Sequence, residues 1–232
     1  REDKLGVIGS NGVGKSTLVK TITGQLAPLK GKVVMGSNVN FAYFSQQLEN
    51  LNKENTIYDE IKNTFNDMTP QEARTLLGSF NFKGDDVFKV IKDLSGGEKV
   101  RVSLCKILNT KPNLLILDEP TNHLDINAIE WLENYLKNYK NSIILVSHDR
   151  MFLDNVCNII YLVEYGETKR YVGNYTAYLK QRELDYEKSL KDYNRQKKEI
   201  KRLTDLVNRF KYKPSKASMA MSKLKMIERM TK

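Results

Sequence analysis

Eight residues near the start of the chain, Gly9-Ser10-Asn11-Gly12-Val13-Gly14-Lys15-Ser16, hold glycines, a lysine and a hydroxyl in the spacing GxxxxGK[ST]. An apolar segment with Leu5, Val7 and Ile8 precedes them and reads as a strand over residues 4–9, and a helix is expected from about Ser16. In that context the glycines let successive backbone N–H groups turn inward, and the helix N-terminus adds its partial positive charge. The loop is therefore built for phosphate. Lys15 is expected to reach the β- and γ-phosphates of a nucleotide, and the Ser16 hydroxyl to ligate Mg²⁺.

The rest of the chain reads as the sheet that such a loop requires. Leu114–Leu117 and Ser142–Val146 are short apolar runs of the kind found in buried strands. Helices are expected over residues 95–109 and 127–139, and a mostly helical stretch, interrupted near Pro70 and Gly84, over residues 56–92. Residues 32–44 alternate apolar and polar around Gly36-Ser37-Asn38 and predict a β-hairpin. Strands alternating with helices imply an α/β fold with a mainly parallel sheet.

Composition changes after Gly173. Residues 175–212 contain no glycine or proline, and Leu179, Tyr186, Tyr193, Ile200 and Val207 recur at sevens, with Leu190, Leu203 and Phe210 on nearly the same face. This predicts a long amphipathic helix. Pro214 ends it, and Ala217, Met221, Leu224 and Ile227 mark a second helix, so the tail reads as an antiparallel helical hairpin. The expected domains are 1–173 and 174–232. Residues 180–232 hold 17 basic against 7 acidic residues, an excess equal to the whole formal charge of +10. The body is neutral and the tail suits a polyanion, although a merely soluble charged helix or a coiled-coil arm has the same composition.

No apolar run approaches the roughly 18 residues of a membrane span, and no signal peptide is legible, so the reading is cytoplasmic. Cys105 and Cys157 lie in apolar surroundings without metal-type spacing and read as buried thiols.

Leu114–Leu117 runs into Asp118-Glu119. A carboxylate at the end of a strand beside a phosphate loop suits a water-mediated Mg²⁺ contact from Asp118. Glu119, one residue on, is placed to polarise an attacking water.

With Leu94-Ser95-Gly96-Gly97-Glu98 the chain resembles the ATP-binding cassette (ABC) proteins. The resemblance implies a P-loop nucleotide-binding domain that binds and hydrolyses ATP with Mg²⁺. It implies nucleotide contacts from Gly9, Asn11, Gly12, Gly14, Lys15, Ser16 and Thr17. Ser95, Gly96 and Gly97, at a helix N-terminus, would meet the γ-phosphate of ATP held by a second cassette. Gln46, in Tyr43-Phe44-Ser45-Gln46, matches the glutamine that senses Mg²⁺ and the attacking water. Asp125 matches a dimer-interface aspartate, and His148 a histidine on the γ-phosphate.

Asp118-Glu119-Pro120-Thr121-Asn122-His123-Leu124-Asp125 and Ser147-His148-Asp149-Arg150 narrow the resemblance to the ABC-F family. Tyr171-Val172-Gly173-Asn174-Tyr175 resembles the start of that family's interdomain linker, and Lys216-Ala217-Ser218-Met219-Ala220-Met221-Ser222-Lys223 its return helix. The family acts on the ribosome, and its linker touches tRNA and rRNA, so those are the implied partners of residues 174–232. A second cassette is the other implied partner, in the same polypeptide or by homodimerisation. Two competing readings are the ATPase subunit of an ABC membrane transporter and a non-hydrolysing module built from a damaged cassette.

The resemblance further implies strands before Arg1, including an adenine-stacking aromatic residue, and a second cassette after Lys232. The 48 residues between Gln46 and Ser95 leave no room for the helical arm of many ABC-F first cassettes. That segment looks like a second cassette and the C-terminal part like a first, which suggests a join near Leu117–Asp125, or an unusual first cassette without an arm.

Overall fold

β-Branched and leucine-rich runs form the sheet wherever both of their faces can be covered. In this computed structural model residues 3–45, 51–122, 124–210 and 216–230 are described. The strands are β1 (Lys4–Ile8), β2 (Phe41–Phe44), β3 (Leu114–Asp118), β4 (Ser142–Val146), β5 (Ile159–Glu164) and β6 (Glu167–Val172). They form one sheet in the order β2-β3-β4-β1-β5-β6. Every pairing from β2 to β5 is parallel, and β6 runs antiparallel beside β5.

Side chains alternate across the sheet with period two. Ile8, Leu115, Leu117, Leu145 and Ile160 enter a large cluster on one face. Val7, Ile116, Val146 and Val163 meet Val19 on the other. Apolar residues on both faces make the parallel strands read as unbroken hydrophobic runs.

The helices of this part are α1 (Lys15–Ile22), α2 (Ile57–Thr64), α3 (Pro70–Ser79), α4 (Gly96–Asn109), α5 (Ile126–Asn138) and α6 (Arg150–Val156). Their starts are written in the sequence. Thr69 with Glu72, and Ser95 with Glu98, close reciprocal capping boxes, and Pro70 occupies the first turn of α3. Asp125 and Asp149 cap α5 and α6 by accepting from backbone N–H groups.

The chain divides into two units, Arg1–Tyr178 and Leu179–Lys232. The division falls five residues beyond the expected boundary because the first turn of α7 (Tyr175–Phe210) is held in the first unit. There the Thr176 N–H donates to Asp154 Oδ1 at 2.6 Å, the Ala177 N–H donates to Asn174 Oδ1, and Tyr178 is 1% exposed. In the second unit α7 is followed by α8 (Ala217–Met230) in a helical hairpin. Leu203, Val207 and Ala220 are buried there, and the Gln196 side chain donates to the Met230 carbonyl. Leu184, Tyr186, Leu190 and Tyr193 on the earlier turns remain exposed. Tyr212 and Pro214 lie outside the described residues.

One expectation changes. The hairpin expected over residues 32–44 is not formed: only Phe41–Phe44 is a strand, and Val33, Val34 and Val39 are exposed. Alternation alone did not supply the pairing that makes a strand. The stretch over residues 56–92 is mostly helical, with its interruptions near Pro70 and Gly84 as expected: α2 and α3 are followed by two 3₁₀ turns, Gly84–Phe88 and Ile91–Asp93, with a positive-φ Asn81 ahead of them.

Candidate nucleotide site

In a parallel sheet all the strand C-termini lie at one edge, and ligands bind in the crevice there. β1 sits between β4 and β5, and β4 lies next to β3. The chain leaves β1 at Ile8 into the glycine loop, β3 at Asp118, and β4 at Val146 into Ser147-His148. Three separate segments therefore converge on one place.

The loop's conformation requires its glycines. Gly14 caps α1 at φ 102°, in the left-handed region. A Cβ on Gly9 would lie 2.5 Å from the Val163 carbonyl oxygen. Lys15 is buried, and its ammonium donates to the Gly9 carbonyl at 2.9 Å and the Ser10 carbonyl at 3.1 Å. The cation is thus held over the loop, where two backbone carbonyl oxygens accept from it.

Ser16 Oγ stands 3.4 Å from Asp118 Oδ1, and Asp118 is buried at the end of β3. No group of three or more His, Cys, Asp or Glu that could cage a metal occurs among the described residues. A hydroxyl and one carboxylate are nonetheless the donor set that suits Mg²⁺, which keeps waters and takes phosphate oxygens as its other ligands. The residues present fit the ion.

Glu119 follows with φ 50°, a left-handed conformation unusual for a non-glycine residue, fixed by its N–H donating to the Val146 carbonyl at 2.9 Å. Its Oε2 accepts from the His148 backbone N–H at 3.3 Å, and its Oε1 lies 3.3 Å from His148 Nε2. Burial pushes the Glu119 carboxyl above its usual range, against a lowering by His148; Asp118 adds to the rise. His148 itself is half exposed.

These groups enclose a cavity of about 480 Å³ lined by Asn11, Gly12, Gly14, Lys15, Ser16, Thr17, Glu119, Asn122 and His148. Gly9 and Asp118 are not among these lining residues, but they touch two of them: Gly9 accepts from Lys15, and Asp118 from Ser16. Asn122 was legible only as part of a motif and not as a wall of the site. Ser95, Gly96 and Gly97 do not line the cavity; they form the N-terminus of α4, with Ser95 and Gly96 exposed, Gly97 half-buried, and Ser95 Oγ accepting from the Glu98 N–H. Asp125 is likewise outside it, its carboxylate accepting from the Ala128 N–H at 2.9 Å. Gln46 lies outside the described residues, as does His123. The strand before Gln46 is β2, whose Phe44 pairs with Leu117.

Two family models, both described as ABC transporter, match residues 1–122 and 161–232. The putative ATP-binding protein YdiF of Bacillus subtilis is 37% identical over 273 residues, covering 98% of this chain and 42% of YdiF. ABC transporter F family member 5 of Arabidopsis thaliana is 40% identical over 200 residues, covering 83% of this chain and 29% of that protein. The probable ATP-binding cassette sub-family F member 3 homolog of Encephalitozoon cuniculi is 36% identical, covering 99% and 38%. The chain thus spans half or less of the length of these relatives. Among solved structures, a dimeric post-hydrolysis state of the ATP-binding cassette MJ0796 bound to ADP and Pi superposes with a TM-score of 0.61 at 18% identity, over 73% of this chain and 85% of that one. The ATP-binding subunit of an ABC transporter gives 0.64 at 24% identity, over 73% and 78%. At these identities the structures speak for the fold.

Proposed function

The chain belongs to the F family of ATP-binding cassette proteins, and from that membership we propose that it is an ATP-driven factor that acts on the ribosome through its basic hairpin. As a cassette it binds ATP with Mg²⁺ and hydrolyses it. No helix among the described residues is long and apolar enough to cross a membrane, and the proposed setting is the cytoplasm.

In this reading the nucleotide's phosphates enter the 480 Å³ cavity and take over the Lys15 ammonium from the Gly9 and Ser10 carbonyls. Ser16 and Asp118 would hold Mg²⁺, which would supply positive charge to neutralise the phosphate oxygens. Glu119 accepts a proton from the attacking water. Its raised pKa makes it a stronger base than an exposed carboxylate, and His148 holds it in place. Gln46 completes the Mg²⁺ and water contacts.

Ser95, Gly96 and Gly97 need an anion from elsewhere. Helix N-termini attract phosphate, and this one is exposed and outside its own chain's cavity. It suits the γ-phosphate of ATP on a second cassette, with Asp125 at the same interface. ATP would close two cassettes together and hydrolysis would release them.

The single observation that carries the ribosome reading is where the charge lies. The whole excess of +10 falls in residues 180–232, and Lys191, Arg195, Lys197, Lys198, Lys201 and Arg202 are all exposed on α7. Such cations bind nucleic-acid phosphates without reading sequence. tRNA binding measured across salt concentrations tests this. Affinity should fall steeply with salt and should be lost when Lys197, Lys198, Lys201 and Arg202 become glutamate. Binding that survives those changes would contradict it.

A further inference from the structure

A second cavity, of about 570 Å³, opens far along the chain from the phosphate loop, between the end of α4 and the last turns of α5. Trp131 and Tyr135 occupy successive turns of α5, and Tyr139 follows as its C-cap. Trp131 and Tyr135 stack at 5.7 Å between ring centres with 27° between planes, and Tyr135 and Tyr139 follow at 6.1 Å and 30°. Phe80 packs against Trp131 from the core at 4.6 Å. All three rings line the cavity, and the Tyr139 hydroxyl donates to the Pro112 carbonyl at its edge.

The lining is charged on one side only. Lys111 and Lys140 flank the rings, no acidic residue lines the cavity, and neither lysine makes an ion pair among the described residues. Asn134 adds an amide.

Lys111 also sits where a lysine is costly. It follows Thr110, the C-cap of α4, at φ 49°, in the left-handed conformation that glycine adopts without strain at this position. Helix termination is served better by glycine than by lysine, so the ammonium needs a reason of its own.

Stacked aromatic rings, flanking cations and an amide are together the chemistry that holds an unpaired nucleotide: a base lies on π surface, its phosphate meets an ammonium, and its edge meets an amide. We propose that this cavity is a binding site for an unpaired nucleotide of single-stranded RNA, on the cassette itself. The site is separate from the hairpin and does not rest on the ribosome reading.

Trp131 is the chain's one tryptophan, so its fluorescence reports this cavity and not the hairpin. The full chain is titrated with oligoadenylate carrying a 5′-hydroxyl, with Mg²⁺ and saturating inorganic tripolyphosphate present so that the phosphate-loop cavity is filled without supplying a base. The inference predicts saturable quenching of Trp131. Tyr135→Ala should weaken it about tenfold. Because Tyr135→Ala can also loosen the core, Lys111→Gly is the decisive variant. It relieves the backbone strain, so the protein should melt no lower than wild type, yet the quenching titration should weaken by about threefold to fivefold, and further with Lys140→Gln. Unchanged Trp131 fluorescence while labelled RNA binds elsewhere on the chain would overturn the inference. So would quenching that is lost when the tripolyphosphate is added, or that is indifferent to Lys111→Gly with Lys140→Gln. Failure here would leave tRNA binding by the hairpin untouched, and loss of hairpin binding would leave this titration untouched.

Discussion

The carboxylate of Glu119 meets His148 at both ends, Oε2 at the backbone N–H and Oε1 at Nε2, each at 3.3 Å. One residue thereby holds the other's orientation beside the phosphate loop. Glu119→Gln keeps the shape but removes the base. Turnover should fall by about 10² to 10⁴-fold, as for loss of a general base, while ATP affinity measured by titration stays within a few fold of wild type. His148→Ala should lower turnover by less, since it removes the support and leaves the carboxylate.

The same carboxylate should make stability depend on pH in an unusual direction. Burial raises the Glu119 pKa above 4.5, so between that value and the folded pKa the native state holds more protons than the unfolded chain. The contribution is therefore fully present below the unfolded pKa and is lost as pH rises through the folded one. Thermal melting should show Glu119→Gln above wild type at pH 7–8, with the gap closing as pH falls below about 4.5.

Gly9 meets a backbone wall. A methyl group there would lie 2.5 Å from the Val163 carbonyl oxygen and 2.9 Å from Val13 Cγ1. The carbonyl belongs to β5, which is paired on both sides and cannot easily retreat. Gly9→Ala should destabilise the protein by about 1–3 kcal/mol in denaturant unfolding, a cost typical of overpacking. It should also weaken ATP binding.

Cys105 and Cys157 are both buried, with burial pushing the Cys157 thiol up to about 12 and Cys105 higher still. Thiolate is the reactive form, so neither should react with a disulfide reagent at pH 8 in the native protein. Both should react on unfolding. Rapid native labelling would mean that the core around α4 and β5 opens.

The position of the glycine loop was legible because its pattern is local: the glycines, Lys15 and Ser16 lie in one short stretch between β1 and the start of α1. β3 and β4 were legible because both of their faces are buried, which leaves continuous apolar runs. What sequence reading passed over lies where the evidence is relational. Ile159–Glu164 and Glu167–Val172 form a hairpin around Tyr165 and Gly166, both at positive φ, as a two-residue turn of the primed type requires. The Tyr-Gly pair between two strand-like runs was the available signal. Asn122 gave none, since only the folded turn after β3 brings it to the cavity wall. The sevenfold stripe of α7 predicted the helix but not which turns would be covered: Leu203 and Val207 are buried, while Tyr186 and Tyr193 with the same spacing are exposed. Asp125 was read for an interface, and the structure also gives it local work as the cap of α5.

The most direct test of the account is co-sedimentation of the Glu119→Gln chain with ribosomes, with and without ATP, with and without residues 180–232, and with a second cassette supplied. The account predicts pelleting that requires ATP, weakens with salt and is lost without the hairpin. Failure to pellet with ribosomes while ATP is demonstrably bound and the second cassette is present would contradict it.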